Sequence, residues 1–361
     1  MKIADFTWHY KLTVFTLFTC LNLVTTTLQA QSTQNFEVGY GERLLVLAPH
    51  PDDEALSAAG MIQQVFERGG SVRTVVVTAG DAYVDAIEAA TGRTHLKPKD
   101  FLNYGEERLD ESRNVARFLG HRFIHLDLLG FSDGSIYEML VTHWQRKHPD
   151  KSDYTGFNHV PYREAEDKGI AQDGEDLRNE LVAILKDTKP TIIVFPDVME
   201  DDSDHAGLGM FALLAVNDWL EHPGNAHLDP RLLAYLIHWP HWPPGSDADK
   251  PIDHSELPLF LPDNLPLRGH QRSCLNLSKH DTEIKKQALA LYKTQENFMA
   301  PFLSAFVHTN ECFTQVKAAD TNGIENVVKQ WQHARKSFSS RPITRLNVLN
   351  TIRPKTRITA N

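Results

Sequence analysis

Five consecutive residues, His50-Pro51-Asp52-Asp53-Glu54, place an imidazole and three carboxyl groups directly after the apolar run 43–48. A helix beginning near Ala55 would use one acid as a cap or as a partner for its positive end. Two aspartates, a glutamate and a histidine exceed that need. A second cluster, Pro196-Asp197 and then Glu200-Asp201-Asp202-Ser203-Asp204-His205, follows the apolar run 191–195. Alone it reads as a solvated acidic loop with a capping histidine. Paired with the first, it completes a metal set: His50, Asp53 and His205 are two imidazoles and one carboxylate, suited to one zinc ion per chain with an open position for water. Asp52, next to Asp53 but aimed differently, is then available to take a proton from water and hand it to a leaving amine. Asp204 is the candidate to orient His205 from behind.

These clusters meet only if the runs that carry them lie side by side. Runs 43–48, 72–78, 123–128, 191–195 and 232–238 read as strands, and 56–68, 106–119, 176–187, 205–220 and 279–298 as helices. The alternation predicts an α/β fold with a Rossmann-like, mostly parallel sheet flanked by helices. Ligands bind beyond the carboxyl ends of such strands, where both clusters fall. The polar connection 142–174 is longer than most links and is expected to shape entry to the site.

A chain of 361 residues with 41% hydrophobic content has ample core for one large domain, and its net charge of −10 argues against nucleic acid as a partner. No glycine-rich dinucleotide fingerprint, phosphate loop or Gly-x-Ser-x-Gly elbow is present. Residues 1–30 read as a signal peptide: Lys2 and Lys11, an apolar run 12–24, then Leu28-Gln29-Ala30. A periplasmic or secreted protein is expected, without a transmembrane helix in the mature chain; lipidation at Cys20 is the lesser reading. Of the 3 cysteines, Cys274 and Cys312 would remain and could pair. Residues 31–320 are expected to form the domain and 321–361 a basic tail, with eight basic residues and no acidic one after Glu325.

The stretch Pro49-His50-Pro51-Asp52-Asp53-Glu54 resembles the Ala-His-Pro-Asp-Asp-Glu signature of the LmbE-like, or PIG-L, family of zinc-dependent N-acetylglucosaminyl deacetylases. The resemblance extends over most of 43–315. It implies zinc on His50 and Asp53, Asp52 as general base, and His205 as third ligand, at the last position of the family's His-Pro-Asp-His motif. It also implies substrate-binding roles for Arg108 and Asp133, the latter in Asp133-Gly134. Glu111 matches a family glutamate, and Tyr292, Gln295 and Glu311 fall in the family's closing region.

The chain departs from the family at Asp202, which stands where relatives carry the histidine that stabilises the oxyanion. A carboxylate there would repel developing negative charge unless protonated or turned away. Either the loop alignment is shifted or another donor serves, and His238, at the end of run 232–238, is the candidate. The expected reaction is hydrolytic removal of an N-acetyl group from an N-acetylglucosamine-type sugar or glycoconjugate. An amidase for another N-acylated sugar conjugate, or a non-catalytic carbohydrate-binding relative, are the alternatives.

Overall fold

The computed structural model describes residues 33–120, 123–266, 270–321 and 323–337, so the leader 1–30 and the tail beyond 337 lie outside the described residues. The strands are β1 (Gln34–Phe36), β2 (Arg43–Ala48), β3 (Ser71–Thr78), β4 (Ile124–Phe131), β5 (Ile192–Pro196), β6 (Arg231–Tyr235), β7 (Gln271–Asn276) and β8 (Asn310–Val316). They form one sheet in the order β1-β7-β8-β6-β5-β2-β3-β4. All neighbours pair in parallel except β8, which runs antiparallel to both β6 and β7. The helices are α1 (Asp53–Glu67), α2 (Val84–Thr91), α3 (Pro98–Gly120), α4 (Ile136–Val141), α5 (Gly174–Thr188), α6 (Ser203–Glu221), α7 (Lys279–Leu289), α8 (Lys293–Ser304) and α9 (Ile324–Ser337). Among the described residues, no helix is long and apolar enough to cross a membrane.

Central strands of a parallel sheet are covered on both faces and therefore read as continuous apolar runs. In β2 the side chains of Leu45 and Leu47 enter one core with α4, α5, α6 and α9, while Leu44 and Val46 enter the other with α1, α7 and α8. From β2 the chain first builds β3 and β4 on one side. It then crosses back to β5 and β6 on the other. The crevice between β2 and β5 is thus the point where strand order reverses, and both acidic clusters leave the sheet there.

Three expectations are revised. The run 232–238 leaves the sheet after Tyr235, because the Glu200 carboxylate accepts the backbone N–H groups of Ile237 and His238, both at 2.5 Å. The single helix 279–298 is two, α7 and α8. Tyr292 turns into the core to bond Glu54, and Glu111 accepts both the N–H (2.9 Å) and the hydroxyl (2.6 Å) of Thr294 in the first turn of α8. Residues 324–337 are helical, with Ile324 and Val328 buried in the α4–α6 core, so the folded body runs past the boundary expected at 320.

Cys274 and Cys312 are register partners on β7 and β8 and form a disulfide across 38 residues. Closing a loop of that length is expected to stabilise the fold by about 2–4 kcal/mol, chiefly by restricting the unfolded chain. Urea unfolding with and without reductant checks this: the midpoint should fall on reduction.

Candidate metal centre

The turn after β2 holds the first cluster in a conformation that a side chain seldom adopts. Asp52 sits at φ 114° and ψ −26° at the N-cap position of α1, yet its side chain makes no capping hydrogen bond. Capping therefore does not account for this carboxylate. A non-glycine residue held at positive φ costs on the order of 1–3 kcal/mol, so neighbours must impose it. Arg108 on α3 does so, donating from Nη2 to Pro51 O (2.6 Å) and from Nη1 to Gly80 O (3.0 Å), with Asp52 Oδ2 at 3.4 Å. Thr78 clamps Pro49 at the start of the turn, its N–H and Oγ1 each donating to Pro49 O at 2.9 Å. Gly80 has φ +60°, and a Cβ there would lie 2.1 Å from Arg108 Nη1, so this approach requires glycine.

The two clusters converge as the strand order requires. Asp53 Oδ2 lies 3.4 Å from His50 Nδ1 and 3.2 Å from His205 Nε2, and potential ligand atoms of the three residues all fall within 4.8 Å of one another. His205 is fully buried, and neither ring nitrogen makes a well-aligned hydrogen bond. A buried imidazole with an orphaned nitrogen facing a carboxylate and a second imidazole fits a divalent cation. The opposite nitrogens are backed by acids: His50 Nε2 lies 3.2 Å from Asp133 Oδ1 and 3.5 Å from Asp204 Oδ2, and His205 Nδ1 lies 3.6 Å from Glu200 Oε1. Metal-binding histidines are oriented by such partners. A second grouping, His50 with Asp133 and Asp204, shares the same imidazole.

Burial would lower the pKa of His205, but Asp53 and Glu200 hold it up at about 10. Burial would likewise raise Asp53, which His205 and His50 hold well below the usual carboxylate range. Burial pushes Asp52 well above that range; Arg108 pulls it back, and Asp53 and Glu54 push it up. Two neighbouring carboxyl groups are thus driven in opposite directions, one toward permanent charge and one toward carrying a proton.

Asp204, expected behind His205, faces elsewhere. Its carboxylate accepts the N–H groups of Gly134 (2.7 Å) and Ile136 (2.9 Å) and approaches His50, while Glu200 stands behind His205. Adjacent helix positions point about 100° apart, so the acid next to His205 in sequence cannot share its face. Glu200 belongs to the same acidic run, and only its position before the turn into α6 distinguishes it. Arg108 and Asp133 both line the cavity, but Arg108 is committed largely to the backbone of the turn, and Asp133 to His50 and the N–H of Ala82.

Asp202 caps α6, its Oδ1 accepting the N–H groups of Asp204 (2.8 Å) and His205 (3.2 Å). Burial would raise its pKa, but His205, His50 and His238 hold it down at about 2. Replacing Asp202 with Ala should cost about 1 kcal/mol in urea unfolding, and Asp202→Asn, which keeps the acceptor, only a few tenths. His238 lies in the cavity wall with its ring edge-on to His205 (4.6 Å between centroids) and stacked on Phe302 (5.6 Å). Burial and the neighbouring His205 lower its pKa to about 4, so it is a neutral imidazole at pH 7.

The cavity over these residues measures about 380 Å³. Its polar side includes His50, Asp52, Asp53, Arg108, Asp133 and His238; its apolar side includes Leu56, Tyr83, Tyr154, Met299 and Phe302. Tyr154 comes from the connection 142–174, so that segment does reach the mouth of the site.

The sequence model of the PIG-L family, described as GlcNAc-PI de-N-acetylase, matches residues 45–216. No curated protein matches the chain. Among solved structures, the A40926 pseudoaglycone deacetylase Dbv21 is 19% identical over 77% of this chain and 98% of its own, with a TM-score of 0.47. An N,N'-diacetylchitobiose deacetylase from Pyrococcus horikoshii is 17% identical over 77% and 85%, with a TM-score of 0.45. The zinc-inhibited form of teicoplanin deacetylase Orf2 is 17% identical over 77% and 99%, with a TM-score of 0.44. Residues 45–216, which carry both acidic clusters, thus match the model of the PIG-L, or LmbE-like, family.

Proposed function

We propose that the protein is a zinc-dependent N-deacetylase that hydrolyses the N-acetyl group of an N-acetylglucosamine-type sugar or glycoconjugate. The observation that carries this reading is the placement of His50, Asp53 and His205 around one point, with Asp52 lining the same cavity as His50 and Asp53. The match of residues 45–216 to a family model described as a de-N-acetylase supports the amide as the bond broken. His50, Asp53 and His205 would hold the cation. When bound, zinc lowers the pKa of water and polarises an amide carbonyl.

The protein's own groups account for the proton movements. Asp52 in its ionised form, made a stronger base by burial, accepts the proton released as water attacks the carbonyl carbon and returns it to the departing nitrogen as the C–N bond breaks, yielding acetate and a free amine. Arg108 keeps that carboxylate in place. His238, a neutral imidazole in the wall, can donate its single ring N–H to the developing oxyanion. Asp202, whose identity raised the alternative of binding without turnover, is occupied as a helix cap and gives that alternative no structural support. The apolar side of the cavity, Leu56, Met299 and Phe302, favours keeping a longer N-acyl group as the second reading.

Acetate release from a panel of N-acetylated sugars and oligosaccharides, by zinc-loaded and chelator-treated enzyme, tests the proposal. Turnover that is lost with chelator and restored by zinc is expected; longer acids in preference to acetate would select the second reading, and no product from any substrate would reject both. We further propose export to an oxidising compartment, on the leader pattern of 1–30 and the Cys274–Cys312 pair.

A further inference from the structure

We propose that Tyr162, on the connection between α4 and α5, is a positioning residue that sets the metal-binding geometry of His50 through Asp81 and Asp133. The inference rests on the reading of His50 as a metal ligand. Asp81, in the turn after β3, is fully buried and takes no part in the proton steps above. Both of its oxygens are engaged: Oδ2 accepts the Tyr162 hydroxyl at 2.5 Å and Oδ1 accepts the backbone N–H of Asp133 at 2.9 Å. Asp133 answers reciprocally, its Oδ2 accepting the N–H of Ala82 at 3.2 Å. The two turns are cross-clamped, and the remaining oxygen, Asp133 Oδ1, lies 3.2 Å from His50 Nε2.

The slot that holds Tyr162 is specific to it. At Gly105 on α3 a Cβ would lie 2.4 Å from the Tyr162 hydroxyl and 2.9 Å from Asp81 Cβ, so a side chain there would push the pair apart. Tyr162 itself is 1% exposed. Without its hydroxyl, a fully buried carboxylate oxygen loses its donor, and Asp81 must turn or recruit a substitute. The N–H of Asp133 then loses its fixed acceptor, and the carboxylate behind His50 is no longer held in one orientation. The same connection carries Tyr154 into the cavity mouth, so the segment that lines substrate entry also anchors the metal ligand.

Zinc affinity, measured by chelator competition on the full protein, tests this without any substrate. Tyr162→Phe is expected to weaken Zn²⁺ binding about tenfold, the lower end of the roughly 10–100-fold typical of outer partners, and Asp133→Ala by more. The deciding readout is their combination. If Tyr162 acts through Asp133, the double variant binds Zn²⁺ no more weakly than Asp133→Ala alone. Additive losses, or wild-type affinity in Tyr162→Phe with only a lowered urea midpoint, would overturn the proposal and leave a structural tyrosine. If Tyr162→Phe does not fold, Asp81→Asn takes its place in the same cycle. A wild-type protein that binds no Zn²⁺ would instead sink the metal reading itself, an outcome distinct from additivity.

Discussion

Asp52→Asn is expected to lower kcat for acetate release about a thousandfold while leaving zinc content and folding intact. The substitution keeps shape and removes the capacity to carry a proton at neutral pH. Asparagine tolerates the positive φ of this position at least as well as aspartate, so the turn at φ 114° should survive. Arg108 keeps its bonds to Pro51 O and Gly80 O and loses only the 3.4 Å contact to Asp52 Oδ2. Removing one of three crowded acids, Asp52, Asp53 and Glu54, also relieves repulsion, so the urea midpoint should hold or rise. Acetate assays, metal analysis and denaturation on one preparation check the three parts together. Turnover within tenfold of wild type would remove Asp52 from the role of base.

His205→Ala is expected to abolish stoichiometric zinc and, with it, activity. The variant loses one of the three proposed ligands and leaves Asp53 and Glu200 facing a buried void without their shared imidazole. Removing one partner from a buried charged group costs about 3–5 kcal/mol, so a lower midpoint should accompany the loss of metal. Glu200→Gln provides the graded comparison. It keeps the three proposed ligands and should weaken zinc by only about 10–100-fold, because it alters the group behind His205 Nδ1 rather than a proposed ligand. Glu200 also accepts the N–H groups of Ile237 and His238, so the amide should displace the His238 ring as well. Chelator competition and metal analysis separate the two variants. Wild-type zinc affinity in His205→Ala would exclude it as a ligand.

The central strands were legible because burial on both faces writes them as unbroken apolar runs, as in Arg-Leu-Leu-Val-Leu-Ala for β2. Strands β1, β7 and β8 were not, since sequences such as Gln-Arg-Ser-Cys-Leu-Asn mix polar and apolar residues toward the edge of the sheet. The pairing of Cys274 with Cys312 depends on the β7–β8 register, which no local pattern contains. Helix 279–298 read as continuous because its periodicity is; the break at residues 290–292 comes from acceptors on α1 and α3, Glu54 and Glu111.

By itself the sequence determined the chemical inventory: two histidines and a carboxylate suited to zinc, an adjacent aspartate suited to proton transfer, and strands that bring them to one end of a parallel sheet. Those conclusions follow from residue type and from spacing along single elements. Only the tertiary structure decided which acid stands behind which histidine, that Asp202 caps a helix, and that Tyr162 reaches Asp81 across 81 residues. The direction of a side chain is set by the phase of its helix and by the turn that leads into it. A partner is whatever another element brings within hydrogen-bond distance, and both become defined only when the sheet has assembled.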